Sequence, residues 1–131
     1  QWINAWGACD FTIAHPEGYA LDPSFTKGAT ITHNQKEALE GADFIYVKNW
    51  SSYESYGKIL VTDPAWMMNT EKLAHTNNAR VMHCLPVRRN LVIEDKVLDG
   101  PNSIVVQQAG NRVWAAQAVL SEILRNDKIG S

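Results

Sequence analysis

Cysteine is scarce in this sequence: only Cys9 and Cys84 occur in 131 residues, far apart and in different settings. That excludes a disulfide framework, and with it a cysteine-based zinc site, both of which need closer or more numerous partners. A reducing, cytoplasmic compartment is the expected one. The four histidines lack the close helical pairing of a zinc site, so no metal is expected. No uncharged apolar run approaches the roughly 20 residues that span a bilayer, and no basic, apolar leader opens the chain. Basic residues are not in excess either. Twelve Lys and Arg against fourteen Asp and Glu leave a formal charge of -2, and non-specific nucleic-acid binding needs a basic face. There is no G-x-G-x-x-G fingerprint, no P-loop and no G-x-S-x-G elbow, so nucleotide cofactors and serine-hydrolase chemistry lose their usual mechanisms. No cofactor is expected.

What is present suits one compact domain over 1–131: 45% hydrophobic and 20% charged residues supply a core and a solvated surface. The opening Gln1-Trp2, without an initiator Met, reads as a start partway through a larger protein. Phe11-Thr12-Ile13-Ala14 is a β-rich run stopped by His15-Pro16-Glu17-Gly18. A weaker strand is expected over Ala29 to Thr32. Asn34-Gln35-Lys36-Glu37 has capping-box spacing, with Gly41 as the helix stop. Phe44-Ile45-Tyr46-Val47 is apolar on both faces, as in a buried parallel strand. Trp66 to Ala74 looks helical without a clean period. Val81 to Leu85 and Ile104-Val105-Val106 are the next strands, and Val113, Ala116, Leu120, Ile123 and Leu124 form one stripe of a closing helix. This alternation predicts an α/β domain, a parallel sheet with helices on both faces.

Such sheets bind ligands at the carboxyl ends of their strands. The informative segments are therefore His15 to Tyr19, Lys48-Asn49-Trp50, Cys84 to Asn90 and Gln107 to Arg112. Three of the four carry Lys or Arg, which fits a carboxylate- or phosphate-bearing ligand. A Cys84 nucleophile activated by His83 is geometrically poor, because adjacent strand residues point to opposite faces.

The most specific signal is His83-Cys84-Leu85-Pro86, followed by Val87-Arg88-Arg89-Asn90 and later by Gln108-Ala109-Gly110-Asn111-Arg112. Here the sequence resembles the ornithine carbamoyltransferase family, within the aspartate/ornithine carbamoyltransferase superfamily. That family carries a His-Cys-Leu-Pro turn and an Asn-Arg at the mouth of the last helix, and the likeness runs from His15-Pro16-Glu17-Gly18-Tyr19 through Leu124. The resemblance implies that Cys84 and the Leu85 carbonyl line the point where a side-chain amine attacks carbamoyl phosphate. It implies that Arg112 binds carbamoyl phosphate and stabilises the oxygen gaining charge, an electrostatic catalysis that needs positioned donors rather than a protein nucleophile. A cis Leu85-Pro86 bond is expected on the same ground.

Departures from the family pattern refine the substrate. Ordinary ornithine enzymes resemble Asp-x-Trp followed by Ser-Met-Gly after the strand here ending at Val47, and the acidic residue holds the α-ammonium. This chain reads Lys48-Asn49-Trp50, then Ser51-Ser52-Tyr53. Two like charges at ~4 Å cost about 4 kcal/mol at an effective dielectric of 20, so Lys48 would repel ornithine. Acylation of the α-nitrogen removes the repulsion and leaves a carboxylate for Lys48 to pair with. Where relatives resemble Ala-His-Arg-Gly after the proline, Val87-Arg88-Arg89-Asn90 adds Arg88, a fork suited to a further carbonyl or carboxylate. The pattern is similar to the acylornithine branch, the succinyl type more than the acetyl type. Lys48, Leu85 and Arg88 are thus assigned to the amino-acid substrate, and Cys84, Leu85 and Arg112 to carbamoyl phosphate, with Cys84 and Arg112 catalytic. Arg89 is either a ligand contact or an ion-pair partner. Asn111 is expected to cap the last helix, and Gly110 stands where many relatives have an acidic residue. Trp50 would wall the site, while Trp2, Trp66 and Trp114 fit core or interface.

The family's first domain supplies a Ser-x-Arg-Thr loop and a His-Pro-x-x-Gln segment, and neither occurs here. The chain is therefore expected to be the incomplete C-terminal amino-acid-binding domain, inactive alone, of an arginine-biosynthetic homotrimer. Its partners would be carbamoyl phosphate and an N-acylornithine, with neither nucleic acid nor membrane. Three other readings stay open: an ordinary ornithine carbamoyltransferase with Lys48 incidental, a non-catalytic binding module of the same fold, and a dehydrogenase-type Rossmann domain, which would require a glycine-rich turn upstream of Gln1.

Overall fold

A computed structural model describes residues 7–49 and 63–126. Trp2, Trp50 and the segment Ser51 to Tyr53 lie outside them. Strand β1 (Thr12–Ala14) pairs in parallel with β2 (Thr30–Thr32), Ile13 opposite Ile31, across the short helix α1 (Pro23–Thr26). Helix α2 (Gln35–Leu39) follows, then β3 (Phe44–Val47), a 3-10 turn (Pro64–Trp66) and α3 (Thr70–Leu73). Strand β4 (Arg80–His83) pairs in parallel with β3, Val47 opposite His83. Helix α4 (Asp95–Leu98) and the 22-residue α5 (Val105–Asn126) complete the order. Among the described residues the strands thus form two parallel pairs with helices between them, the α/β class read from the sequence. None of the described helices is long and apolar enough to cross a membrane.

Local chemistry explains several boundaries. The Asn34 side chain accepts the Glu37 N–H at 3.4 Å, capping α2 as its spacing predicts. Glu37 does not complete a capping box; its carboxylate accepts from the Thr32 hydroxyl, which itself accepts the Asn34 N–H at 3.0 Å. Gly41, at φ +68°, closes the segment in a conformation that a Cβ would disfavour. The expected helix from Trp66 to Ala74 is divided. Met68 leaves the helical path to exchange backbone hydrogen bonds with Val92 and Glu94, and Asn69 then caps α3 by accepting the Lys72 N–H at 2.9 Å.

The core lies against one face of the β3–β4 pair. Met68, Val81, Val92, Ile93 and Val97 are fully enclosed, with Leu39, Leu98 and Val105 nearly so, and Ile45 and Val47 pack against them. Burial of each such side chain contributes about 1.5–3 kcal/mol. Alternation along β3 puts Phe44 and Tyr46 on the other face, 65% and 47% exposed, so the expectation of a strand covered on both sides does not hold.

The C-terminal third departs most from the sequence reading. Ile104-Val105-Val106 is not a strand: Val105 opens α5, and only Ser103 bridges to Val81. Gln107 to Arg112 is consequently helix rather than a loop after a strand, and Asn111 is interior to α5 instead of capping it. The stripe Val113, Leu120, Ile123 and Leu124 is more than half exposed, and Trp114 is 70% exposed. The 3.6-residue period was real, but the described chain offers no surface for it to cover. Trp66 is half-buried.

Candidate active site

Two parallel strands that end level deliver their following residues side by side. Val47 is opposite His83, so Lys48 and Cys84 emerge together from the carboxyl ends of β3 and β4. Both are exposed. The two post-strand loops are tied by the Asn49 side-chain amide, which donates to the Pro86 carbonyl at 2.9 Å. The Leu85-Pro86 peptide is cis, and the Leu85 N–H donates to the His83 carbonyl at 3.0 Å.

His83 and Cys84 part company, as strand alternation requires. His83 is 1% exposed, on the core face with Val81, while the Cys84 thiol is on the opposite, open side. Neither ring nitrogen of His83 has a hydrogen-bond partner among the described residues. Burial first, and the Lys48 charge second, push the imidazole below its ordinary pKa, so the neutral ring is the folded form. An unfolded chain protonates this histidine near pH 6.5, whereas the folded chain resists. The stabilising preference for the neutral ring is therefore complete above about pH 6.5 and lost as pH falls below it. Thermal melts of the whole protein from about pH 7.5 to 5.5 are expected to show a decline that His83→Leu flattens. Identical slopes for the two proteins would contradict a buried neutral His83.

Arg88 and Arg89 divide their labour. Arg89 forks onto Asp99 through two contacts of 2.7 Å and reaches Asp95 at 2.7 Å. Those hydrogen bonds hold both carboxyls below the usual aspartate range. Arg89 is thus the ion-pair partner of the two alternatives. Asn90, in the left-handed region at φ +55°, clasps Asp95 through its own side chain at 2.8 and 3.0 Å. The Arg88 carbonyl accepts from Leu91 and Val92, and its guanidinium, exposed, makes no ion pair among the described residues.

Arg112 is carried by α5, which is tied to β4 through Gln108. The Gln108 side-chain oxygen accepts the His83 N–H at 3.0 Å, and Arg112 is four residues further on, one turn up the same helix face, roughly 6 Å along the axis. Lys48, Cys84 and Leu85 therefore share one strand-end rim. The Pro86–Val92 loop carries Arg88 out from it, and Gln108 anchors the helix that bears Arg112. No direct contact joins Arg88 or Arg112 to the others.

Two participants escaped the sequence reading. The Tyr46 phenol is pushed above its usual pKa by burial and by the neighbouring Cys84 thiol, with the Gln108 amide acting in the opposite sense. Tyr46 looked like one more apolar strand residue. Its two-residue offset from Lys48 along β3 was the available signal, since i and i+2 share a face. Gln108 opened the Gln108-Ala109-Gly110-Asn111-Arg112 motif, but in a segment read as a loop nothing marked its side chain as a partner of β4. His15 and His33 stack edge-on at 4.8 Å beside β1 and β2, and His33 Nδ1 is 2.9 Å from the His15 carbonyl. The described residues hold no group of three or more His, Cys, Asp or Glu fit for a metal.

Comparison with known proteins gives a consistent result. The family model described as the aspartate/ornithine carbamoyltransferase Asp/Orn binding domain matches residues 3–123. An N-succinylornithine carbamoyltransferase of Bacteroides fragilis is 49% identical over 128 residues, covering 96% of this chain and 40% of that protein. An ornithine carbamoyltransferase of Methanosarcina mazei is 38% identical over 127 residues, 88% of this chain and 42% of that protein. Among solved structures, an acetylornithine transcarbamylase complexed with acetylcitrulline superposes with a TM-score of 0.76 at 29% identity, covering 86% of this chain and 39% of that one. The chain thus spans about 40% of the length of the curated relatives it matches.

Proposed function

Because the chain belongs to the aspartate/ornithine carbamoyltransferase family, matching its Asp/Orn-binding domain, we propose that the protein carrying it transfers the carbamoyl group of carbamoyl phosphate to the δ-amine of an N-acylornithine. N-succinylornithine is the favoured substrate and N-acetylornithine the next. The δ-nitrogen bonds to the carbamoyl carbon, the bond from that carbon to the phosphate oxygen breaks, and the attacking amine gives up one proton as phosphate leaves. The products are N-acylcitrulline and phosphate, in arginine biosynthesis. This chain supplies the amino-acid side as the second domain, and the grip on phosphate is completed by a first domain outside it. A homotrimer in the cytoplasm is the assembly we assign, and two exposed free thiols suit that compartment.

The observation that carries the acyl reading is Lys48 standing beside Cys84 at the paired strand ends. In this arrangement the ammonium meets the substrate's α-carboxylate, with the α-nitrogen neutral as an amide. Arg88 takes the acyl group's outer oxygens, and a succinyl carboxylate gains a charge-assisted pair that an acetyl carbonyl cannot. Cys84 and the Leu85 carbonyl line the δ-amine, and Arg112 supports the carbamoyl oxygen. The 49% identity to an N-succinylornithine carbamoyltransferase supports the same choice. Initial rates of the whole enzyme with ornithine, N-acetylornithine and N-succinylornithine test it. An acylated substrate should be preferred in kcat/KM by at least about tenfold, and preference for free ornithine refutes the acyl reading.

A further inference from the structure

Strand β4 has a second edge, away from β3, and its hydrogen bonds explain where α5 begins. The Val81 N–H donates to the Asn102 carbonyl at 2.9 Å, and the Val81 carbonyl accepts from Ile104 at 2.9 Å, one step of a parallel ladder. The next step would send the His83 N–H to the Ile104 carbonyl. That carbonyl is already taken, because it accepts the Gln108 N–H at 2.8 Å as part of the first turn of α5. The Gln108 side chain replaces it, its oxygen accepting from His83 at 3.0 Å. One residue therefore draws the chain out of the ladder with its backbone and repairs the ladder with its side chain.

Two parts of the proposed site meet at this joint. His83 immediately precedes Cys84, so the bond from Gln108 ends one residue from the turn that carries the thiol. Arg112 stands one turn beyond Gln108 on the same face, so the bond sets the height and rotation of the helix that carries it. Tyr46 is opposite Met82 in the register and thus diagonal to Cys84 across the strand pair. Gln108 is half-buried, which makes a lost partner for the His83 N–H costly.

We propose that Gln108 is a positioning residue for the transfer step: through its bond to His83 it locks α5, and with it Arg112, onto the strand that leads into the Cys84–Leu85 turn. The kinetic consequence rests on the carbamoyltransferase reading above, whereas the mechanical one does not. Gln108→Leu removes the acceptor at similar volume, and Gln108→Glu restores an oxygen at the same place. In the whole enzyme, Gln108→Leu is expected to lower kcat about 20-fold, because a small misplacement near the reacting atoms has effects of that order. The KM for the amino-acid substrate should stay within about threefold, since Lys48 and Arg88 are borne elsewhere. Gln108→Glu should recover kcat to within about fivefold of the parent.

A second measurement needs no substrate. Alkylation of Cys84 by iodoacetamide, followed by mass on the Cys84 peptide so that Cys9 does not interfere, is expected to change at least about threefold in Gln108→Leu and to return toward the parent rate in Gln108→Glu. Unchanged kcat in Gln108→Leu, equal impairment in Gln108→Glu, or a Cys84 rate indifferent to Gln108→Leu overturns the proposal. Should the enzyme carbamoylate none of the three ornithines, the function assigned above fails, and the alkylation rates still decide the role of Gln108.

Discussion

Arg112→Ala in the whole enzyme is expected to reduce kcat by roughly 10²–10³-fold, the range seen when one preorganised donor to a developing oxyanion is removed. The fold should scarcely notice. Arg112 is exposed, makes no ion pair among the described residues, and is in the interior of a helix that alanine suits better than any other residue. Surface changes of this kind stay within about ±0.5 kcal/mol, so the melting temperature should match the parent's. Arg112→Lys should recover only part of the rate, because an ammonium supplies the charge without the planar fork. Steady-state kinetics with carbamoyl phosphate as the varied substrate, beside a thermal melt, separates the two quantities. A kcat within about threefold of the parent would remove Arg112 from the transfer step.

Lys48→Ala should act on binding rather than on chemistry. A hydrogen bond to a charged group contributes about 1.5–3 kcal/mol, which corresponds to a rise of roughly 10- to 150-fold in the KM for the N-acylornithine at 1.36 kcal/mol per tenfold. The kcat at saturation should change little, since the α-carboxylate is remote from the carbamoyl carbon. Lys48→Asp offers the sharper contrast. It replaces the carboxylate's partner by a repelling group and creates one for a free α-ammonium, so the ratio of kcat/KM for ornithine over the acylated substrate should rise. An unchanged KM in Lys48→Ala would leave Lys48 a solvated loop residue.

Legibility followed the range of the interactions involved. Asn34, Gly41 and the His83-Cys84-Leu85-Pro86 turn were readable because caps, left-handed glycines and short motifs are properties of a few consecutive residues. The opposition of His83 and Cys84 followed from the two-residue period of a strand alone. Ile104-Val105-Val106 misled because three β-branched residues favour a strand only where a ladder is available. Here the carbonyl that would continue the ladder is consumed by the helix, an exchange visible only once Gln108 is seen facing His83. Arg89 was undecidable in one dimension: its partners Asp95 and Asp99 become neighbours only when Asn90 turns the chain through φ +55°.

Sequence by itself determined the α/β alternation, the post-strand segments after β3 and β4 and the family, because these rest on periodicity, turn chemistry and motif identity within short windows. Tertiary structure alone decided that Lys48 and Cys84 leave their strands in register, that Arg89 serves the loop rather than the rim, and that Arg112 rides a helix bolted to β4. The physical reason is that each of these depends on a hydrogen bond or ion pair whose partner lies elsewhere along the chain, and no local propensity encodes the identity of a distant partner.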